Sequence, residues 1–171
     1  MAKTYVPVML AIATAFAIHA AETGLTHPVL PQSEWQLNLQ EIPESGGKYN
    51  AEADRLIALP LDELKKQVRT AAARIRSVDE RAGDYEDAAN VLAYRALQEK
   101  NEDYARRALW ILYLIAEQTR DIFETRPTFF NPGTTISPSV YAYDKLYDSP
   151  AWKQLPADAR KTVAEWYIRS S

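Results

Sequence analysis

Histidine occurs only at positions 19 and 27, and cysteine occurs nowhere in the 171 residues. Imidazole chemistry therefore has two places to occur, while a disulfide framework or a thiolate metal site is excluded. His27 stands before Pro28 in a heavily punctuated stretch and reads as a loop or arm residue rather than as a catalytic base. Residues 125–137, Thr-Arg-Pro-Thr-Phe-Phe-Asn-Pro-Gly-Thr-Thr-Ile-Ser, offer more. A long irregular stretch inside a helical body is uncommon, and such stretches often carry function. Phe129 and Phe130 supply stacking faces, and Asn131, Thr134 and Thr135 supply neutral hydrogen-bonding groups, a composition suited to contacting sugar. The commoner use of the same residues competes with this: both rings enter the core and the rest turns the chain. Tyr141, Tyr143 and Tyr147 follow on a helix with core-like spacing. Tyr141 is kept with the loop as a candidate substrate contact. Glu124, Asp144 and Asp148 would allow paired-carboxylate glycoside hydrolysis, but at these spacings they read as ordinary solvated helix faces. No residue is assigned to catalysis or to a metal, and no cofactor is called for.

These residues must be positioned by helices, and one helix dominates. Residues 108–116, Ala-Leu-Trp-Ile-Leu-Tyr-Leu-Ile-Ala, are apolar on every side. A helix of that kind is buried in a helical assembly or spans a membrane. A span takes about 20 apolar residues, so this run, flanked by Arg106, Arg107, Glu117 and Arg120, predicts a core helix from about Asn101 to Glu124. Asn101 can cap its first turn, and Arg126-Pro127 stops it.

Leu61, Leu64, Val68, Ala71, Ala72, Ile75 and Val78 predict an earlier helix, acidic at its start (Asp62, Glu63) and basic at its end (Arg74, Arg76). Gly83-Asp84 then breaks and restarts the chain. Asp84 is the expected cap of a helix with Tyr85, Ala88, Ala89, Leu92, Ala96 and Leu97 on one face. The very short turn near Lys100-Asn101 makes that helix the antiparallel neighbour of the central one. The pair superficially resembles a tetratricopeptide unit. Such a unit has about 34 residues, a glycine in its first helix and a terminal proline, and these are not in place. Ser137-Pro138 opens another helix, which Ser149-Pro150 is expected to end. Pro156 starts a last one with Ala159, Val163, Trp166 and Tyr167 on its apolar face.

The length suits one domain with a sizeable core. Hydrophobic content of 47% and charged content of 25% are ordinary for a globular chain. A net charge of −3 without a basic stripe gives no reason to expect nucleic acid. Residues 1–21 read as a signal peptide: Lys3, an apolar run from Val6 to Ile18, then Ala20 and Ala21 at the cleavage site. The mature chain is then expected outside the cytoplasm, periplasmic or secreted, with no membrane segment. Residues 22–60 carry Gly24, Pro28, Pro31, Pro43, Gly46, Gly47 and Pro60 and read as an extended arm pinned by Trp35, with a possible short helix over Ala51–Leu59. Residues 61–171 form the helical body, so the fold class is all-α, antiparallel helical hairpins behind an N-terminal arm.

Within that body, Val140 to Trp152 (Val-Tyr-Ala-Tyr-Asp-Lys-Leu-Tyr-Asp-Ser-Pro-Ala-Trp), followed by Leu155-Pro156-Ala157-Asp158-Ala159-Arg160, resembles a segment of the heparinase II/III-like and alginate-lyase-like polysaccharide lyases. Tyr104 to Glu117 is similar to the helix just upstream in that family. The resemblance covers roughly Asp84 to Ser171, about half the chain. It implies an incomplete α/α toroid, a missing C-terminal region of the same protein, and β-elimination on a uronate-containing, acidic polysaccharide. In that reaction a base removes the C5 proton while another group neutralises the carboxylate. The family's catalytic residues lie beyond the matched stretch, and none carries over. What carries over is the loop Phe129 to Thr135, which in the family approaches the substrate cleft. The resemblance thus predicts the N-terminal helical segment of an exported lyase, inactive alone. The alternative is a non-enzymatic periplasmic helical module for binding or scaffolding.

Overall fold

A computed structural model describes residues 47–76, 80, 82–124 and 138–170. All regular structure among these residues is helical: α1 (Gly47–Ala58), α2 (Leu61–Ala72), α3 (Tyr85–Glu99), α4 (Glu102–Glu124), α5 (Pro138–Leu146), α6 (Pro150–Gln154) and α7 (Ala157–Ser170). The candidate loop 125–137, Trp35, both histidines and the expected signal segment lie outside the described residues.

Helix α4 is the axis of the body, and every other described helix packs against it. Ala105, Ala108, Leu109, Ile111, Leu112, Leu114, Ile115, Ala116 and Thr119 are buried. Burial is not uniform around the helix, however. Arg106, Trp110, Tyr113, Glu117 and Arg120 form one stripe that stays partly open to solvent. Two aromatic rings that read as core in the sequence thus sit at the boundary, where amphipathic groups can cover them. Lys65 of α2 lays its ammonium 3.8 Å from the centroid of the Trp110 ring, and the Tyr113 hydroxyl donates to Glu117 at 2.6 Å.

Both ends of the α3–α4 hairpin follow from local chemistry. Lys100 adopts the left-handed conformation that closes a helix (φ 52°), and the N–H of Asn101 donates to the Ala96 carbonyl at 3.0 Å. The Asn101 side chain then caps α4 as expected, accepting from the N–H groups of Asp103 at 3.0 Å and Tyr104 at 3.3 Å. Arg107 ties this end of α4 to the α1–α2 corner by donating to the carbonyls of Leu56 (2.9 Å) and Leu59 (2.8 Å). Its Nε donates to Asp103 at 2.6 Å. Partial burial pushes the Asp103 carboxyl upward, but hydrogen bonds and charge from Arg107 and Arg106 outweigh that and hold it below the usual carboxylate range.

Several boundaries differ from the sequence reading. Helix α1 starts at Gly47, within the stretch read as arm, because Tyr49, Ala53 and Leu56 already share one helical face; Ala53 and Leu56 are fully buried. Helix α2 ends at Ala72, short of Arg74 and Arg76, and Arg76 lies beyond it, donating to the carbonyls of Ala73 and Ile75. Asp84 stands at the N-cap of α3 without a side-chain cap bond. Its backbone is helical rather than extended, so Glu86 reaches back instead and accepts from the N–H of Ala82 at 3.2 Å. Gly83, at φ +67°, makes the turn that a side chain would strain. Ser149-Pro150 starts a helix rather than ending one: the chain leaves α5 at Leu146, turns through Asp148 at φ 62°, and Ser149 caps α6 by accepting from the Trp152 N–H at 3.1 Å. Proline one residue after a serine cap is a start signal, because its missing N–H is not needed in the first turn.

The last helix is as expected, with Ala159, Val163, Trp166 and Tyr167 buried. Because α4 runs antiparallel to α3, while α5 meets α3 in increasing order through Glu86–Ser139 and Asn90–Lys145, the start of α3, the end of α4 and the start of α5 gather at one end of the body. Glu124 and Pro138, the described residues on either side of the candidate stretch, thus lie at that end.

With Leu112 at 0% exposure in the middle of α4, Leu112→Ala is expected to cost about 2–5 kcal/mol. Leu112→Asp is expected to prevent folding, since a buried unpaired charge costs as much as a domain's whole stability. Thermal melting by circular dichroism checks both, and a melting temperature unchanged in either variant contradicts the packing described.

Candidate functional site: a buried polar seam

Helix α5 has nine residues, seven of them buried: Ser139, Val140, Ala142, Tyr143, Asp144, Lys145 and Leu146. Four of these carry polar groups, and three of the four are linked to neighbouring helices. Ser139 donates its hydroxyl to Glu86 of α3 at 3.0 Å. Lys145 donates its ammonium to the Asn90 amide oxygen at 3.2 Å. Asp144 accepts the Tyr167 hydroxyl of α7 at 2.6 Å. Asp144, Lys145 and Ser139 are all 0% exposed. Polar groups survive in such a place only when hydrogen-bonded, and these bonds fix α5 to α3 on one side and to α7 on the other.

Beside the seam lies an aromatic cluster with Tyr143 at its centre. Ring centroids stand 4.2 Å away at Tyr167, 5.4 Å at Trp152 and 5.5 Å at Tyr147. Tyr147 and Trp152 are themselves 5.7 Å apart. These are separations at which offset or edge-on aromatic pairs attract. The Tyr143 hydroxyl has no hydrogen-bond partner among the described residues. Burial pushes its ionisation well above the ordinary tyrosine value, reinforced by the charges of Tyr147 and Asp144. Tyr167 is raised as well, first by burial and then by its bond to Asp144.

Tyr141 is half-buried on α5, with the Lys145 ammonium 5.6 Å from its ring centroid, so one neighbour of its face is a cation of its own helix. Phe129, Phe130, Asn131, Thr134 and Thr135 lie outside the described residues. The reading of Asp144 as part of a solvated helix face is corrected: it is a core residue committed to Tyr167. Asp148 is at the surface and pairs with Lys153 at 3.3 Å. The side of α3 that carries Glu86 and Asn90 escaped the sequence reading altogether. Apolar periodicity cannot reveal a buried face whose side chains are polar, although Glu86, Asn90 and the small Ala93 do recur at helical spacing. Among the described residues no group of three or more His, Cys, Asp or Glu converges to hold a metal ion. None of the described helices is long and apolar enough to cross a membrane.

The seam can fix the register of three helices and keep an ammonium and two carboxyl groups out of water. Replacing one partner removes a hydrogen bond from a buried polar group, a larger loss than the same bond represents at the surface. Comparison with protein families, with curated proteins and with solved structures returns no match for this chain.

Tyr143→Phe deletes a hydroxyl without a partner among the described residues and is expected to shift stability by less than about 1 kcal/mol, or to raise it. Tyr167→Phe deprives buried Asp144 of a donor and is expected to cost about 1–3 kcal/mol. Because both phenols are held neutral in the folded chain, their contribution is fully present below the unfolded tyrosine value of about 10. It is lost as pH rises beyond that toward the raised folded values. Urea midpoints measured from pH 8 to 11 should fall above about pH 10, and less steeply in Tyr143→Phe. A flat profile contradicts the burial of both groups.

Proposed function

We propose that this chain is a helical segment of an exported polysaccharide lyase acting on a uronate-containing polysaccharide, in which the described helices position groups rather than perform the elimination. The alternative reading, a non-enzymatic helical module for binding or scaffolding, shares the same body. One observation supports a positioning role above the others: in the stretch that resembles the lyases, Tyr143, Asp144, Lys145 and Trp152 are buried and spent on packing or internal hydrogen bonds. An elimination needs a base open to the substrate and a group that neutralises its carboxylate. Groups with less than a tenth of their surface exposed are not in place to do either.

The substrate contacts in this reading are Phe129, Phe130, Asn131, Thr134, Thr135 and the half-buried Tyr141. Helices α4 and α5 hold the two ends of the stretch that carries the first five, and Tyr141 stands one turn into α5. The toroid implied by the resemblance belongs to this proposal too, with α3–α4 and α5–α7 as neighbouring layers.

The purified chain is expected to retard in affinity gels containing alginate or heparan sulfate, but not in gels of neutral dextran. It is expected to release no unsaturated uronate detectable by ultraviolet absorbance. Retardation lost in Phe129→Ala/Phe130→Ala places binding in the loop. Retention by none of the acidic polysaccharides favours the scaffold reading. Product formation abolished by Tyr141→Phe overturns the positioning role and puts the reaction in this half of the protein.

A further inference from the structure

Two phenol–carboxylate hydrogen bonds of 2.6 Å each stand beside a tryptophan-containing set of rings. One is buried, Tyr167 to Asp144, in ring contact with Tyr143 and through it with Trp152 and Tyr147. The other is at the solvent-facing stripe of α4, Tyr113 to Glu117, with Trp110 5.5 Å away edge-on. A phenol that loses an electron becomes a strong acid, so its oxidation is easy only where a base within hydrogen-bond reach can take the proton. Tyr167 has such a base, and Tyr143, in contact with three rings, has none among the described residues. The usual sacrificial sites for oxidants are the sulfur side chains. Here they are restricted to Met1 and Met9, which leaves the rest of the chain without sulfur.

We propose that Tyr167 is a redox-active tyrosine, fed through the Tyr147 and Tyr143 rings from the half-buried end of the cluster. A one-electron oxidant of the radical class, such as a peroxyl radical, at the Tyr147 end of the cluster takes one electron from Tyr167, which tunnels across the Tyr143 and Tyr147 rings without oxidising either; the oxidant is reduced to a peroxide anion that takes its proton from water. At Tyr167 the O–H bond breaks, a new O–H bond forms on the Asp144 carboxylate, and a neutral phenoxyl radical remains beside a neutral acid. The Tyr167–Asp144 pair is then uncharged. That product is shielded by 0% exposure at Asp144 and 1% at Tyr167. The Tyr113 radical, by contrast, would face solvent and decay quickly. The cluster thus gives an oxidising equivalent a place to rest inside the body until a one-electron reductant of the thiol or enediol class returns the electron and Asp144 returns the proton.

The test uses the full chain and photogenerated tris(bipyridyl)ruthenium(III) as the one-electron oxidant, with freeze-quenched electron paramagnetic resonance as the readout. A tyrosyl signal that outlives the one formed from free tyrosine is expected, together with its loss in Tyr167→Phe and its persistence in Tyr113→Phe. Because Tyr167→Phe also alters packing around Asp144, a second measurement keeps the ring, the hydroxyl and the fold. Fluorotyrosine placed at position 167 alone should add fluorine hyperfine splitting to the long-lived signal. The absence of any signal outlasting free tyrosine, its survival in Tyr167→Phe, or a long-lived signal without fluorine splitting overturns the assignment.

Discussion

A helix that is apolar around most of its circumference has to be covered around most of its circumference, and α4 imposes that requirement on everything else. Each described helix answers it with a contact: α3 as its hairpin partner, α2, α5, α6 and α7 in turn, and α1 at its N-terminal corner through Arg107. Leu109, Ile111, Leu112 and Leu114 reach 0% exposure only because six separate elements supply the cover. The single stripe left open carries the side chains best able to live at a boundary. Trp110 lies under the Lys65 ammonium, Tyr113 is turned to Glu117, and Arg120 donates to Thr162 of α7 at 2.6 Å.

Hydrophobic cover alone does not fix how a nine-residue helix such as α5 sits, because apolar contacts slide at little cost. The buried polar seam removes that freedom. Ser139 must find Glu86, Lys145 must find Asn90, and Asp144 must find Tyr167, and a shift of one residue along α5 breaks all three. Buried hydrogen-bonded groups of this kind contribute less to net stability than to the uniqueness of one arrangement. The two helices holding the ends of residues 125–137 are therefore firmly placed: α4 by cover, α5 by the seam.

Much of this was legible in the residues, and the failures share a cause. Periodic apolar spacing located α2, α3, α4 and α7, and the Asn101 cap and the short turn at Lys100 came from residue chemistry that acts within one helical turn. Trp110 and Tyr113 misled because hydropathy treats an aromatic ring as core, whereas a nearby lysine or glutamate can host it at the surface. Ser149-Pro150 was legible as a boundary but not in its direction, since a serine–proline pair follows one helix and opens another. Asp144, Lys145, Glu86 and Asn90 could not be read as interior, because their burial depends on partners 23 to 55 positions away in the chain. Of the expected substrate contacts only Tyr141 lies among the described residues, half-buried beside Lys145.

The fold depends on α5 being locked to the α4 core rather than resting loosely on it, and native-state hydrogen exchange reports this amide by amide. Amides of α4 from Leu109 to Ala116 should exchange only through global unfolding, with opening free energies equal to the stability of the whole body. Amides of α5 from Ala142 to Leu146 should join that same slowest class, in spite of the helix's short length. Exchange of the α5 amides through a separate local opening, well below the global free energy, would contradict it.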